Sequence, residues 1–135
     1  MQALGRQILV EFYDCDPNVL NDVNLIEKYM VEACDVANAT IVKTVVHKFS
    51  PYGVSGVVVI AESHVAIHTW PEYNYAAVDI FTCGETISPW TIYKYLESKL
   101  KCKNSSMMEL KRGLFDDAYQ KIYHKPHEEE VCESK

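Results

Sequence analysis

Residues 49–84 read FSPYGVSGVVVIAESHVAIHTWPEYNYAAVDIFTCG and decide the fold of this 135-residue chain. Three segments within them, 57–61, 65–69 and 76–83, are rich in the β-branched and apolar residues that favour strands. A short turn at 61–63 separates the first two segments, and a loop that begins with proline separates the second from the third. The stretch therefore predicts three consecutive strands joined by tight connections.

The segments before and after this stretch supply further strands and two helices. In residues 5–13 a strand would place Ile8, Val10 and Phe12 on one face and Leu9, Glu11 and Tyr13 on the other. Residues 40–49 are rich in β-branched side chains and alternate, which is also typical of a strand. Between them, apolar side chains recur at steps of three and four and predict a helix: Val23, Ile26, Met30, Ala33 and Ala37. A second helix should begin at Ser88-Pro89, because serine is a frequent N-cap and proline fits the first helical position.

The order strand, helix, several strands, helix predicts a single α+β domain over residues 1–135. We expect a two-layer sandwich, with a mainly antiparallel sheet and helices on one face. The pattern weakens after the second helix, where residues 107–110 are a candidate edge strand and residues 125–135 a flexible tail.

The same patterns limit the classes of partner. An uncovered sheet face that carries Trp70, Tyr75 and Phe81 would favour association, so we expect a homodimer. The formal net charge of −6 argues against nucleic acid, because binding to phosphates requires a basic surface. The chain contains no apolar run of roughly 18–20 residues, so we expect no membrane span.

The cysteines and the first residues indicate the compartment. Five cysteines make an odd count and form no C-x-x-C motif, which argues against a disulfide framework or a zinc ribbon. The opening MQALGRQILVEF has no small-residue cleavage site and is read as a strand rather than a signal peptide. A cytoplasmic location is therefore expected.

Most of the reactive side chains lie within residues 49–84, and several kinds of chemistry were weighed for them. His64, His68 and Cys83 could suggest zinc, but on one strand the two histidines would lie ~13 Å apart, too far for a single ion. The GVSG around Ser55 is not the G-x-S-x-G motif of serine hydrolases. Taken one at a time, these residues are compatible with ordinary packing or turn positions, and only their joint occurrence favours catalysis.

Three motifs in a fixed order carry a family resemblance: PYGVSG, AESHVAIHTWPEY and AAVDIFTCG, with LGRQILVEFYDCD near the start. In these residues the chain resembles the short bacterial and archaeal proenzymes of pyruvoyl-dependent S-adenosylmethionine decarboxylase. The resemblance covers residues 4–100, and the C-terminal third diverges from the family pattern.

The resemblance implies an enzyme that makes its own cofactor. Ser63 would attack the carbonyl of Glu62, and elimination would then leave a β chain of residues 1–62 and an α chain of residues 63–135 that begins with a pyruvoyl group. By the same resemblance, His68 is the proton acceptor in this processing, and Ser55 offers a hydroxyl to the intermediate. No metal is implied.

The activity implied by the resemblance is decarboxylation of S-adenosylmethionine for polyamine (spermidine) biosynthesis. The pyruvoyl carbonyl would form a Schiff base with the substrate amine and accept the electrons released with carbon dioxide. Cys83 matches the family position that returns a proton to the product. Two alternatives remain: a relative of the same fold that decarboxylates arginine or ornithine, and a catalytically silent regulatory or binding subunit.

The substrate suggests further binding residues. Aromatic faces suit an adenine ring and a sulfonium cation, which points to Phe49 and Trp70. Glu72 could accept hydrogen bonds from ribose hydroxyls, and Glu11 could do the same or face the cation.

The turn at 61–62 has a geometric consequence. If the flanking strands form a hairpin, Ser55 lies opposite His68, whereas Ser63 lies at the tip. Ser63 and His68 would then be ~16 Å apart along an extended strand, and proton transfer needs about 3 Å. Either the strand bends at Ser63, or His68 and Ser55 act on Ser63 of a second subunit; we favour the second arrangement.

Overall fold

The computed structural model describes residues 2–115, and side-chain environments from residue 3 onward. Its strands are β1 (Gln2–Tyr13), β2 (Ile41–Lys48), β3 (Val54–Ile60), β4 (Ser63–Trp70), β5 (Tyr75–Cys83) and β6 (Asn104–Phe115). Its helices are α1 (Pro17–Leu20), α2 (Val23–Val36) and α3 (Pro89–Lys99), with a single 3-10 turn at Pro71–Tyr73. The predicted tail at 125–135 lies outside the described residues.

All described strands form one sheet in the order β2-β3-β4-β5-β1-β6, and every neighbouring pair is antiparallel. Strands β2 to β5 follow one another as a meander, because their connections are short. Strand β1 lies between β5 and β6, so the first strand of the chain is central rather than at an edge. The predicted α+β class with an antiparallel sheet is confirmed.

One face of the sheet is covered by α2 and α3 and forms the hydrophobic core. The carboxylate of Asp22 begins α2 by accepting hydrogen bonds from the N–H groups of Asn24 and Leu25. The stripe predicted for this helix then buries Ile26, Met30 and Ala33 completely or nearly so. Other members of the core come from alternate positions of the strands, among them Ile8, Val10, Phe12, Val58, Val65, Ile67, Val78 and Ile80.

No helix within residues 2–115 covers the opposite sheet face, which agrees with the prediction of helices on one face. It carries the remaining alternate positions of each strand, and Trp70 there is 40% exposed while Tyr75 and Phe81 are half-buried. We refer to this helix-free surface as the open face. Whether a second copy of the chain covers it stays a prediction.

Three details differ from the sequence predictions. Strand β3 begins at Val54 rather than at residue 57, so Ser55 lies within a strand. Strand β6 spans twelve residues rather than the four predicted, although its position at the edge is as expected. Ser88 occupies the N-cap of α3, but its hydroxyl makes no capping hydrogen bond. Within residues 2–115, no helix is both long and apolar enough to span a membrane.

Candidate active site

The hairpin between β3 and β4 has the predicted two-residue turn and register. Ile60 pairs with Ser63 on either side of Ala61-Glu62, and Ser55 pairs with His68. The pairing runs without a bulge from one end of the hairpin to the other. Ser63 and His68 of one chain therefore lie at opposite ends of β4, ~16 Å apart along the strand. The expectation that Ser55 lies opposite His68 is confirmed.

Ser63 has a backbone conformation that L residues rarely adopt. Its φ is +144°, a region in which glycine is favoured because it has no Cβ. Such a conformation costs of order 1–3 kcal/mol and persists only when the surrounding contacts enforce it. Strain is therefore stored at the residue that follows the Glu62–Ser63 peptide bond.

Glu62 is fixed through both its backbone and its side chain. Its carbonyl oxygen accepts a hydrogen bond of 2.7 Å from the backbone N–H of Cys83. Its carboxylate accepts a hydrogen bond of 3.2 Å from the N–H of Thr40, and the N–H of Ala61 donates to the Thr40 carbonyl at 2.8 Å. These contacts hold the turn against β5 and against the segment that enters β2.

Cys83 lies beside this turn at the end of β5. It pairs with Gly5 of β1, and a Cβ at Gly5 would lie 3.1 Å from the Cys83 sulfur and 3.0 Å from the Thr82 carbonyl oxygen. A larger residue at this position would require the thiol or the β5 backbone to shift, so glycine permits the close packing of Cys83 on β1. Burial raises the pKa of the Cys83 thiol above its usual range, which favours the protonated form.

His64 also contacts the turn, although no catalytic role was predicted for it. Its Nδ1 lies 3.5 Å from the Ser63 hydroxyl oxygen, at the outer limit of a hydrogen bond. The half-buried imidazole stacks on the ring of Phe81, with centroids 5.7 Å apart and planes inclined by 10°. We call the group Glu62, Ser63, His64 and Cys83 the cleavage end of β4.

The other end of β4 carries a different pair. The hydroxyl of Ser55 and Nδ1 of His68 are 2.7 Å apart, a short and well-formed hydrogen bond. Both residues lie on the open face, and His68 is exposed. A bend that brings His68 to Ser63 of the same chain is incompatible with the unbroken pairing of β4 with β3 and β5.

A row of aromatic rings continues from His68 across the open face. The centroids of His68 and Trp70 are 6.4 Å apart, those of Trp70 and Tyr75 5.3 Å, and those of Tyr75 and Tyr13 5.5 Å. The Tyr75 hydroxyl donates a hydrogen bond to the Glu11 carboxylate. Burial, together with this bond and the charge of Glu11, raises the pKa of Tyr75.

We call the group Ser55, His68, Trp70, Tyr75 and Glu11 the aromatic end of β4. The structure thus brings four of the predicted site residues together there. Tyr75 was not among them, and the signal that could have identified it is its register opposite Trp70.

Phe49 and Glu72 flank the aromatic end. Phe49 is exposed, contacts His47 edge-on at 4.6 Å, and donates its N–H to the Gly53 carbonyl at 2.8 Å. The resulting loop is held by Asn21, whose side-chain oxygen accepts a hydrogen bond of 3.0 Å from the Gly53 N–H. Glu72 is exposed in the 3-10 turn that directly follows Trp70.

A search for clustered metal ligands gives no candidate among residues 2–115. No group of three or more His, Cys, Asp or Glu side chains is close enough to hold an ion there. His64 and His68 are four residues apart on a continuous strand, which separates them by ~13 Å.

Comparisons with known proteins agree on one family. A family model described as S-adenosylmethionine decarboxylase matches residues 6–113. The S-adenosylmethionine decarboxylase proenzyme of Acetivibrio thermocellus is 57% identical over 117 residues, which cover 87% of this chain and 94% of that protein. A proenzyme of the same name from Thermodesulfovibrio yellowstonii is 48% identical over 131 residues, or 97% of each chain.

A solved structure shows the same fold. The crystal structure of the adenosylmethionine decarboxylase from Aquifex aeolicus VF5 is similar with a TM-score of 0.81 and 32% sequence identity. The similarity covers 87% of this chain and 97% of that one.

Proposed function

Because the chain belongs to the S-adenosylmethionine decarboxylase family, we propose that it cleaves its own backbone between Glu62 and Ser63 and then decarboxylates S-adenosylmethionine. Cleavage divides it into a β chain of residues 1–62 and an α chain of residues 63–135 that begins with a pyruvoyl group made from Ser63. One observation carries the proposal: the Glu62 carbonyl oxygen faces the N–H of Cys83 at 2.7 Å, directly before the strained serine.

The first step of processing is an acyl shift within the backbone. The Ser63 hydroxyl oxygen bonds to the carbonyl carbon of Glu62, and negative charge develops on the carbonyl oxygen. The Cys83 N–H is positioned to stabilise that charge, as oxyanion-hole donors do. Breaking the C–N bond then leaves an ester and a free amine on Ser63. Release of the strain at Ser63 favours this direction, although an ester is intrinsically less stable than an amide.

The second step is elimination. A base removes the α-proton of Ser63, the bond between its Cβ and the ester oxygen breaks, and Glu62 leaves as a carboxylate. The dehydroalanine that remains tautomerises to an imine, and water hydrolyses the imine, supplying the keto oxygen of the pyruvoyl group and releasing the nitrogen as ammonia. The base is His68, held by Ser55 at 2.7 Å, and it acts on the Ser63 of a second subunit because its own Ser63 lies at the other end of β4.

If His68 acts on Ser63 of a second subunit, that subunit is the partner that covers the open face. Two chains that pack their open faces together in opposite directions bring the aromatic end of one subunit to the cleavage end of the other. The processed enzyme is then a dimer of protomers with two α and two β chains. The four cysteines within residues 2–115, at positions 15, 34, 83 and 102, are free thiols, which supports a reducing cytoplasm.

The residues at the cleavage end also suit the decarboxylation. When present, a pyruvoyl group supplies an electron-withdrawing carbonyl that accepts the electron pair left by carbon dioxide. Cys83 returns the proton to the product, and its raised pKa keeps the thiol protonated at neutral pH. The thiol packs against Gly5, and the Cys83 N–H donates to the carbonyl of Glu62, the residue directly before Ser63.

The substrate is held mainly by the aromatic end. Phe49 and Trp70 offer exposed aromatic faces to adenine and the sulfonium group, and Glu72 offers a carboxylate to the ribose. Glu11 already accepts a hydrogen bond from Tyr75, so it contributes a fixed negative charge near the same rings.

Intact mass spectrometry of the purified protein tests the cleavage. We expect two fragments that correspond to residues 1–62 and 63–135, and an α chain whose keto group reacts with an aminooxy reagent. Ser63→Ala should remain one polypeptide, whereas Ser98→Ala, at an exposed position of α3, should cleave as the wild type does. A folded wild-type chain that persists intact with an ordinary amino terminus refutes the proposal.

Carbon dioxide release from carboxyl-labelled compounds tests the substrate. We expect release from S-adenosylmethionine and none from arginine or ornithine. Release from either of the latter would reassign the substrate, and a cleaved protein that releases none would indicate a regulatory subunit.

A further inference from the structure

We infer that His64 is the base that activates Ser63 for the acyl shift, and that the two processing steps use two different histidines. The inference rests on the proposed function. His64 would act first and within its own chain, and His68 of the partner subunit would act second.

The contact between Ser63 and His64 is unusual for neighbouring residues of a strand. Successive side chains point to opposite sheet faces, so a regular Ser63 would direct its hydroxyl away from the imidazole. Instead the hydroxyl oxygen lies 3.5 Å from Nδ1 of His64, and Ser63 is the residue with φ +144°. The strained backbone thus coincides with the contact that the first step needs. A distance at this limit is common before substrate or strain tightens a catalytic hydrogen bond.

The surroundings of His64 fix the imidazole in place. His64 pairs with Phe81 of β5, and the two rings are nearly parallel, with centroids 5.7 Å apart. On the other side it pairs with Val59 of β3. A half-buried ring held between two strands loses little freedom when it accepts a proton, because its orientation is already set.

Nucleophile, base and oxyanion donor then meet at one peptide bond. The nucleophile is the Ser63 oxygen, the base is Nδ1 of His64, and the donor is the Cys83 N–H on the Glu62 carbonyl oxygen. The same arrangement of three roles defines catalytic sites for acyl transfer in general. His68 cannot take the role of His64 within one chain, because it lies at the aromatic end of β4.

Every proton in this step is accounted for by His64 and Ser63. Nδ1 of His64 takes the hydroxyl proton as the bond from the Ser63 oxygen to the Glu62 carbonyl carbon forms. When the C–N bond breaks, the same proton passes from the imidazolium to the departing nitrogen of Ser63. His64 returns to its neutral state with the proton on Nε2, and no other reactant is needed.

Two substitutions separate the base from its packing. His64→Asn retains a polar group that can hydrogen-bond to the Ser63 hydroxyl but is not basic. His64→Phe retains the stacking on Phe81 and removes the nitrogen. We expect both proteins to fold, as judged by circular dichroism and thermal unfolding, and to cleave at least 100-fold more slowly than the wild type, the usual range for loss of a general base.

Neutral hydroxylamine distinguishes the two histidines, because it splits an ester between Glu62 and Ser63 but not an amide. In His68→Ala we expect the ester to accumulate, so that hydroxylamine yields residues 1–62 as a hydroxamate and an α chain beginning with serine. In His64→Asn and His64→Phe we expect no hydroxylamine-sensitive fraction. A His64→Gly chain should recover cleavage when imidazole is added, which a purely structural role would not predict.

The outcomes separate the two proposals. If the wild type cleaves and the His64 variants cleave within a few-fold of its rate, or accumulate the ester, the role of His64 is wrong and the proposed function stands. If the folded wild type never cleaves, the proposed function itself fails.

Discussion

The two ends of β4 are built from the same strand but differ in what they contain and in how they are held. The cleavage end has a strained serine, a carbonyl fixed by Cys83 and a thiol packed against Gly5. The aromatic end has a relaxed serine–histidine pair and a row of stacked rings. Neither end alone contains both the Glu62–Ser63 bond and all the groups that the proposed chemistry requires.

About 16 Å of continuous strand separates the two ends of β4. Under the proposed function each chain therefore carries two parts of a site, and the site is completed between subunits. Substitutions at the two ends should therefore complement each other, and their effects on cleavage, stability and substrate binding should be separable.

Complementation between the two ends has the largest expected effect. Ser63→Ala and His68→Ala chains should each remain uncleaved as homodimers. In heterodimers made by co-expression, only the His68→Ala chain should cleave, because it has an intact Ser63 and receives His68 of the partner subunit. Different affinity tags and intact masses identify which chain is cut.

The control is a heterodimer of His68→Ala with a chain that carries both substitutions, which should not cleave, because the intact Ser63 receives no His68 from its partner. Isolated Ser63→Ala/His68→Ala heterodimers in which neither chain is cut would overturn the exchange between subunits.

Thr69 tests how the aromatic end is held within its own chain. Its buried hydroxyl accepts a hydrogen bond of 2.9 Å from the Val54 N–H and donates one of 2.8 Å to the Leu20 carbonyl. Thr69→Val keeps the shape but leaves both backbone groups buried and unpaired, so we expect a loss of about 2 kcal/mol in the free energy of unfolding. Urea denaturation measures it.

Thr69→Ser is the matched control, because it keeps the hydroxyl and removes only a methyl group. Equal stability of the valine and serine variants would contradict the role of these hydrogen bonds.

Cys83 tests the cleavage end through the reactivity of its thiol, with a smaller expected effect than the substitutions above. Burial raises the pKa of its thiol, so the folded chain holds this proton more tightly than the unfolded chain does. The contribution of the protonated thiol to the stability of the fold is complete below the usual thiol pKa. It is lost as the pH rises through the raised pKa of the folded state. We therefore expect carbamidomethylation of Cys83 at pH 8 to be several-fold slower in the folded protein than in a denatured sample, and to accelerate up to a higher pH.

Peptide mass spectrometry after timed treatment with iodoacetamide gives the rate at each pH. If Cys83 reacts in the folded protein as fast as in the denatured one, the burial of the thiol is not what controls its protonation.

The sequence could predict those strands that bury one face, because buried and exposed side chains then alternate with the two-residue period of a strand. It could not predict the length of β6, because this edge strand has a single neighbour and nearly all its side chains are exposed. The start of β3 was missed for a similar reason: Gly56 has no side chain to show the alternation.

The motifs supplied the candidate site residues, and the sequence predicted part of their spatial grouping. The pairing of Ser55 with His68 followed from turn length and register. The positive φ of Ser63 and the bond from Cys83 to the Glu62 carbonyl are backbone properties that no residue type encodes. The contact of His64 with Ser63 depends on that same backbone distortion, and regular strand geometry predicts its absence.

Asn21 tests the loop beside the aromatic end and has the smallest expected effect. Its side-chain oxygen anchors the Gly53 N–H at 3.0 Å, and Gly53 in turn closes the loop by accepting the Phe49 N–H. Asn21→Ala removes one partly buried hydrogen bond, which is worth about 1 kcal/mol. Because Phe49 is then less well positioned, we expect the KM for S-adenosylmethionine to rise about five-fold while kcat and the rate of self-cleavage remain unchanged.

The matched control is Asn24→Ala, which removes an exposed amide from the first turn of α2 and should alter neither constant. The split between KM and kcat is the informative readout, because it separates a loop that binds substrate from a contact that supports the whole fold. A fall in kcat or in self-cleavage equal to the change in KM would mean that the loop also shapes the cleavage end, and the separation between the two ends of β4 would not hold.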